Sequence, residues 1–209
     1  MATRPSRARP RIARRRRRAE PPASSPQRAL DELAALDLAI HDTVVRTPTP
    51  TLDQALGQVS NAANYSKLWI ATAAVLSLLG HRGRRAALVG MAAVGVTSAT
   101  ANMVVKPLLR RRRPLREKAG LRHVVRMPTS GSFPSGHTAS AFAFASAVGA
   151  ELPALAVPLR LVATAVAWSR VQSGVHFLGD VVAGALLGVT IGSGTHRLAA
   201  RHRGARHGG

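Results

Sequence analysis

Apolar positions between residues 29 and 46 recur at helical spacing. Leu30, Leu33, Leu36, Ile40 and Val44 follow that period, with Asp31, Glu32, Asp37 and Asp42 among them. This pattern predicts an amphipathic helix lying in a membrane interface rather than crossing it. Thr47 to Pro50, with two prolines in four residues, ends it. Five apolar segments follow. The first centres on residues 65–80 and is short unless the polar Asn61 and Asn64 belong to it. The second, Ala86 to Val105, runs twenty residues without a charge. The third extends from about Ser135 to Ala150. The fourth runs from about Leu152 to Ser169, interrupted by Arg160, which snorkels if it lies near an end. The fifth, about Val175 to Thr195, contains Asp180 and aligns Gly184, Gly188 and Gly192 on one face. Such a face suits close helix contact, either inside a bundle or between two copies. The expected fold is all-α: a multi-pass transmembrane helical bundle of about five spans plus an N-terminal interfacial amphipathic helix. Five buried helices of a soluble protein do not fit, because the segments carry too little polar surface to clothe them.

Composition sharpens this picture. The chain of 209 residues carries a formal net charge of +21, yet 46% of it is hydrophobic. The two properties are compatible because they occupy different segments. Residues 1–28 hold ten arginines and one acid, Glu20, with almost nothing to bury. They are expected to form a disordered basic tail near a membrane surface. No apolar run follows those arginines, so they do not read as a signal peptide. The domain proper is expected over residues 29–198, with a second basic tail at 199–209. Aromatic residues make up only 3% of the chain, and small residues dominate, as expected where helices pack closely in lipid. There is no cysteine, which excludes disulfides and thiolate metal sites.

Three polar stretches interrupt the apolar segments. In the first, Lys106 is followed after six residues by Arg113 and Pro114. The second is Pro134-Ser135-Gly136-His137. The third is Ser169-Arg170, then five residues, His176, three residues and Asp180. The first follows span two, the second opens span three, and the third joins span four to span five. Antiparallel traversal therefore places all three on one face of the membrane, whichever face that is. Their chemistry suits a phosphoryl group. Lys106, Arg113 and Arg170 supply positive charge, and a guanidinium fork grips two oxygens at once. Ser135 and Gly136 precede a helix, where backbone N–H groups and the helix dipole favour an anion. Ser135 either caps that helix or donates to phosphate directly. His176 and Asp180, four apart, share a helical face, the arrangement in which a carboxylate orients an imidazole. His137 adds a second imidazole suited to protonating a leaving oxygen. A carboxylate inside an apolar segment, as Asp180 is, is costly and usually functional.

These stretches resemble the tripartite signature of the type 2 phosphatidic acid phosphatase superfamily, KxxxxxxRP, PSGH and SRxxxxxHxxxD, over residues 106–180 with every signature position present. The resemblance implies that His176 attacks phosphorus to form a phosphohistidine and that Asp180 positions it. It implies that His137 protonates the departing lipid oxygen and then activates water. Lys106, Arg113, Ser135, Gly136 and Arg170 would bind the phosphoryl oxygens. No metal or other cofactor is expected, since side-chain cations neutralise the phosphate. Five spans plus an interfacial helix is fewer than the six common among the family's lipid phosphatases. That plan resembles the small bacterial undecaprenyl-diphosphatase branch.

The resulting expectation is a multi-pass enzyme of the cell membrane acting on a lipid phosphate. Polyprenyl diphosphate or a polyprenyl-linked sugar phosphate is the first substrate class. Phosphatidate or phosphatidylglycerol phosphate is the second. Nucleic acid is not an expected partner. The alternative from another class is a catalytically silent membrane protein that binds anionic lipid, against which the intact histidines and Asp180 count. Charge counting favours a cytoplasmic catalytic face, whereas the family resemblance implies an extracytoplasmic one.

Overall fold

Proline and glycine mark where the helices stop and start. The computed structural model describes residues 25–114, 125 and 127–207. Helix α1 (Ser25–Arg46) ends at the expected break, and α2 (Pro50–Ala62) begins on a proline, whose missing N–H costs nothing in a first turn. A single 3₁₀ turn (Asn64–Ser66), with Tyr65 and Ser66 at positive φ, leads into α3 (Lys67–Ser77). Helix α4 (Gly80–Ala99) continues through a π-helical stretch (Thr100–Val105) into the short α5 (Lys106–Leu109). Then come α6 (Gly136–Glu151), α7 (Ala156–Gln172) and α8 (Leu178–His207). No strand occurs among the described residues. The expected basic tail lies outside the described residues up to position 24, and residues 25–28 already belong to α1. Residues 115–124 and 126, between the first and second polar stretches, also lie outside them.

Among the described residues three helices are long and apolar enough to cross a bilayer: Gly80–Leu109, Pro153–Gln172 and Leu178–Ala205. Leu88, Leu161 and Leu186 on these helices are exposed, as expected where the surrounding solvent is lipid. The other two segments read as spans form helices of 11 residues (α3) and 16 residues (α6). Helix α6 is the centre of the bundle. It packs against α4, α7 and α8, and Ala139, Ala141, Ala143, Phe144, Ala145, Ala147 and Val148 are completely buried. Trp69 of α3 closes one side by stacking, tilted, on Phe144 with ring centroids 5.2 Å apart. Helix α2, for which the apolar pattern predicts no element, docks on α7. There Gln172 donates to Thr49 Oγ1 and Asp53 Oδ1.

The glycine face of α8 lies against α6. A Cβ at Gly184, Gly188 or Gly192 would sit 2.6, 2.2 or 2.4 Å from the carbonyl oxygens of Ser135, Ala139 and Ala143. The stripe is therefore spent on internal packing. At the opposite end of the bundle from the three polar stretches, Glu151 is nearly buried among Arg85 of α4 and His196 and Arg203 of α8. Residues 199–207, expected to begin a tail, instead continue α8, and Arg203 reaches back to Glu151 at 3.0 Å.

Replacing Gly188 with alanine forces α6 and α8 apart. The expected cost is about 1–3 kcal/mol, seen as a lower midpoint of thermal unfolding in detergent. Gly194→Ala, where a Cβ meets nothing within 4 Å, is expected to leave that midpoint unchanged or raise it slightly.

Candidate active site

The end of α4–α5, the start of α6, the end of α7 and the start of α8 meet at one end of the bundle. Ser135 N–H donates to the carbonyl of Asp180 at 2.9 Å, joining the second and third polar stretches through backbone. Lys106 of the first stretch reaches Gly136 of the second, where a Cβ would lie 3.7 Å from Lys106 Nζ. A cavity of about 260 Å³ opens between them, lined by Lys106, Arg113, Gly136, His137 and His176 together with Ser130, Asn102 and Tyr65. Ser135, Arg170 and Asp180, also expected at the site, are buried and do not line that cavity.

His176 ends a tight turn. The N–H groups of Val175 and His176 both donate to the carbonyl of Arg170, at 3.2 and 3.3 Å, which sets Arg170 and His176 relative to each other. Helix α8 then starts, and Asp180 at its third position accepts the Phe177 N–H at 3.0 Å, half of a capping box. The same oxygen, Oδ2, lies 3.4 Å from His176 Nδ1, a close approach rather than a formed hydrogen bond. On the other side of the ring, Nε2 lies 3.1 Å from Arg113 Nη1. A guanidinium only donates, so Nε2 accepts with its lone pair and the proton of the neutral ring resides on Nδ1, facing Asp180. Burial pushes the His176 imidazole down to about 4, and Arg113 and Arg170 add to that fall while Asp180 opposes it. The ring is therefore neutral at physiological pH, with a nucleophilic nitrogen at a cation-lined cavity.

The cations are held by neutral oxygens. Arg113 donates to the carbonyls of Val175 (2.8 Å), Ser130 (2.9 Å) and Gly131 (3.1 Å), and burial lowers its pKa, with Asp180 pulling the other way. Lys106 donates to Asn102 Oδ1 at 2.8 Å, across the π-helical stretch, and to Ser130 Oγ at 3.3 Å. Arg170, buried behind the cavity, donates to Ser60 Oγ of α2. Ser135 caps α6: its Oγ accepts from Thr138 N at 3.5 Å and from Thr138 Oγ1 at 2.9 Å. Of the two expectations for Ser135, capping is the one these bonds describe. His137 Nε2 donates to Asn64 Oδ1 at 2.8 Å, while Asn64 Nδ2 donates to Asn61 Oδ1 at 3.3 Å.

Several of these partners stand outside the three stretches. Asn64 and Ser60 come from the α2–α3 region, where the only signal in the chain is polar residues breaking an apolar run. Arg111 sits inside the arginine run but faces away from the cavity. Its Nη1 donates to Asp180 Oδ1 at 2.8 Å and its Nη2 to Asp37 Oδ2 at 2.7 Å. Burial alone would lower the Arg111 pKa, but the bond to Asp37 and the charges of Asp180 and Asp37 hold it above its ordinary value. A larger cavity of about 560 Å³ adjoins the first, sharing Lys106, Arg113 and Ser130, and is lined by Arg110, Arg111 and Arg112.

Comparison with known proteins agrees with this geometry. The sequence profile of the PAP2 superfamily matches residues 85–203. The decaprenylphosphoryl-5-phosphoribose phosphatase of Mycobacterium tuberculosis is 38% identical over 127 residues, which is 57% of this chain and 67% of that protein. The enzyme of the same description from Mycolicibacterium smegmatis is 35% identical, over 60% of this chain and 67% of its own. Among solved structures, the transmembrane PAP2 type phosphatidylglycerolphosphate phosphatase from Bacillus subtilis superposes with a TM-score of 0.65 at 25% identity, covering 82% of this chain and 88% of that one. Aquifex aeolicus LpxE shares the fold with a TM-score of 0.64 at 23% identity, over 78% of this chain and 95% of its own. With its signature residues gathered at one end of a membrane-spanning bundle, the chain belongs to the PAP2 superfamily and is a phosphoric monoester hydrolase of the membrane.

Proposed function

We propose that this protein removes the phosphate monoester of a polyprenyl-linked sugar phosphate through a phosphohistidine on His176. The observation that carries the mechanism is the direction of the His176 ring: Nε2 toward Arg113 and the cavity, Nδ1 toward Asp180. The substrate class is favoured by the mycobacterial relatives, whose description names a decaprenylphosphoryl phosphoribose. The adjoining cavity beside Arg110 and Arg112 supports it, since such a lipid carries a second, diester phosphate beyond the one removed. Polyprenyl diphosphate ranks behind it.

In this reading Lys106 and Arg113, with the backbone N–H groups at the Ser135-capped start of α6 near Gly136, neutralise the phosphoryl oxygens, and Arg170 adds its charge from behind the cavity. The Nε2 lone pair forms an N–P bond as the P–O bond to the sugar breaks. The released electron pair stays on the sugar oxygen, which takes the Nδ1 proton of His137 in the imidazolium form that the bound phosphate dianion favours, while Nε2–H stays on Asn64. The ring gains positive character, which Asp180 stabilises through Nδ1–H. Water then attacks phosphorus, giving a proton to His137. The N–P bond breaks, its electron pair returns to Nε2, and inorganic phosphate leaves. Asn64 holds His137 in place for both transfers. Helix α1 lies in the interface, its exposed Leu30, Leu33 and Leu36 in the lipid beside the site.

Phosphate release by the detergent-solubilised chain, in EDTA, is the first test. Decaprenylphosphoryl-5-phosphoribose is expected to be cleaved faster than decaprenyl diphosphate, phosphatidate or phosphatidylglycerol phosphate. His176→Ala is expected to lower the rate by about a thousandfold or more. Equal rates for the two proteins would remove His176 as nucleophile, and dependence on added metal would contradict neutralisation by side chains alone.

Protonation of His176 supplies a second check. Because burial penalises the imidazolium, the ring is expected to stay neutral as pH falls past 6.5, where an exposed histidine is half protonated, and to titrate near 4. Imidazole ¹⁵N NMR, assigned by the signal lost in His176→Ala, reads this directly. A midpoint of 6 or above would mean that the ring is not desolvated.

A further inference from the structure

We infer that Asp37 and Arg111 are positioning residues for the catalytic carboxylate, a relay through which the N-terminal helix sets the orientation of Asp180 and hence of His176. This rests on the reading of His176 and Asp180 given above. Neither residue belongs to the three polar stretches as signature positions, and neither lines the cavity at His176.

The geometry is that of a fork held between two acids. Arg111 Nη1 bonds Asp180 Oδ1 at 2.8 Å, and Nη2 bonds Asp37 Oδ2 at 2.7 Å. The two oxygens of Asp180 are thereby assigned: Oδ1 to the guanidinium, Oδ2 to the Phe177 N–H and the His176 ring. Without Arg111 only the Phe177 N–H holds the carboxylate, and rotation about its last bond carries its oxygens away from His176 Nδ1, removing the acceptor that favours the Nδ1–H tautomer. The guanidinium itself is fixed. It stacks over the Phe177 ring, 4.5 Å from the centroid, and the Arg111 carbonyl accepts the Ser132 N–H at 2.9 Å. Arg111 is thus turned away from the site where Arg113, two residues on, meets Nε2.

Asp37 closes the relay onto α8. Its Oδ1 accepts the Gly179 N–H at 2.7 Å, so a residue of α1 satisfies an N–H of the first turn of α8 that the helix cannot satisfy itself. A Cβ at position 179 would lie 2.7 Å from Asp37 Oδ2, so a side chain there would displace the Asp37 carboxylate. Charge adds to geometry. One guanidinium shared by two carboxylates leaves a net charge of −1 beside a ring that becomes cationic on phosphorylation. If Arg111 faced Asp180 alone, the pair would be neutral and would stabilise that cation less.

The test uses the full chain in detergent with decaprenylphosphoryl-5-phosphoribose as substrate, comparing Asp37→Asn, Arg111→Gln, Arg111→Lys and His176→Ala. Asp37→Asn keeps an oxygen for Gly179 and removes only the charge, so its fold is expected to survive, checked by the thermal unfolding midpoint. The expected result for Asp37→Asn and Arg111→Gln is a kcat lower by roughly ten- to hundredfold, with KM within about twofold. Arg111→Lys is expected to stay impaired, since an ammonium does not span both acids. The double variant Asp37→Asn/Arg111→Gln should cost no more than Arg111→Gln alone. Independently of substrate, the ¹⁵N shifts of His176 should change from a single Nδ1–H tautomer to a mixture in both single variants. Unchanged kcat and tautomer would overturn the inference. So would a raised KM at constant kcat, which would place Arg111 on the substrate. If His176→Ala kept wild-type activity, the nucleophile assignment would fail instead, and the tautomer signal would still decide whether Asp37 and Arg111 orient the pair.

Discussion

Gly184, Gly188 and Gly192 of α8 face α6, and without side chains they let two helix backbones come into contact. Lipid supplies no hydrophobic drive between helices, so close packing of this kind has to hold the bundle together. The contact also builds the site. It continues to the start of both helices, where Ser135 N–H meets the Asp180 carbonyl, and both histidines line the cavity there. A wider spacing would separate His137 from His176 before it disturbed either helix.

Crowding positive groups into a half-buried cavity is unfavourable in the empty protein. The way they are held lowers that cost without cancelling their charge. Arg113 is oriented by three backbone carbonyls, and Lys106 by an amide and a hydroxyl. These acceptors fix direction yet leave the positive charge uncancelled at the cavity, an arrangement preorganised to favour negative charge. Arginines that do not face the cavity are treated differently. Arg111 is shared between two carboxylates, and Arg85 and Arg203 both reach the buried Glu151 at the far end of the bundle. Arg111, Arg85 and Arg203, paired with acids, brace the structure, whereas Arg113, held by neutral carbonyls, lines the cavity.

Much of this was readable along the chain. Apolar length and proline punctuation announced an all-helical membrane protein. The order of the polar stretches between apolar segments placed Lys106, Arg113, His137, His176 and Asp180 at one end, because successive spans must alternate direction. Those inferences need only local composition and the parity of crossings. The i, i+4 spacing of His176 and Asp180 was legible for the same reason, since one helical turn is a local matter.

What tertiary structure decided depends on contacts between residues distant in sequence. His137 meets Asn64 from 73 positions away, Arg170 meets Ser60 from 110, and Arg111 meets Asp37 from 74. No local pattern distinguishes Arg111, which braces a carboxylate, from Arg113, which meets His176 Nε2, since both stand in one run of arginines. Nor does periodicity tell whether a glycine face turns inward or toward a second copy. That depends on which helix has carbonyls at the matching height, and here α6 does. Local chemistry and span parity determined which residues this protein would gather and at which end. The packing of α1, α2 and α6 against α7 and α8 decided which of them touch, because only packing fixes distance and direction.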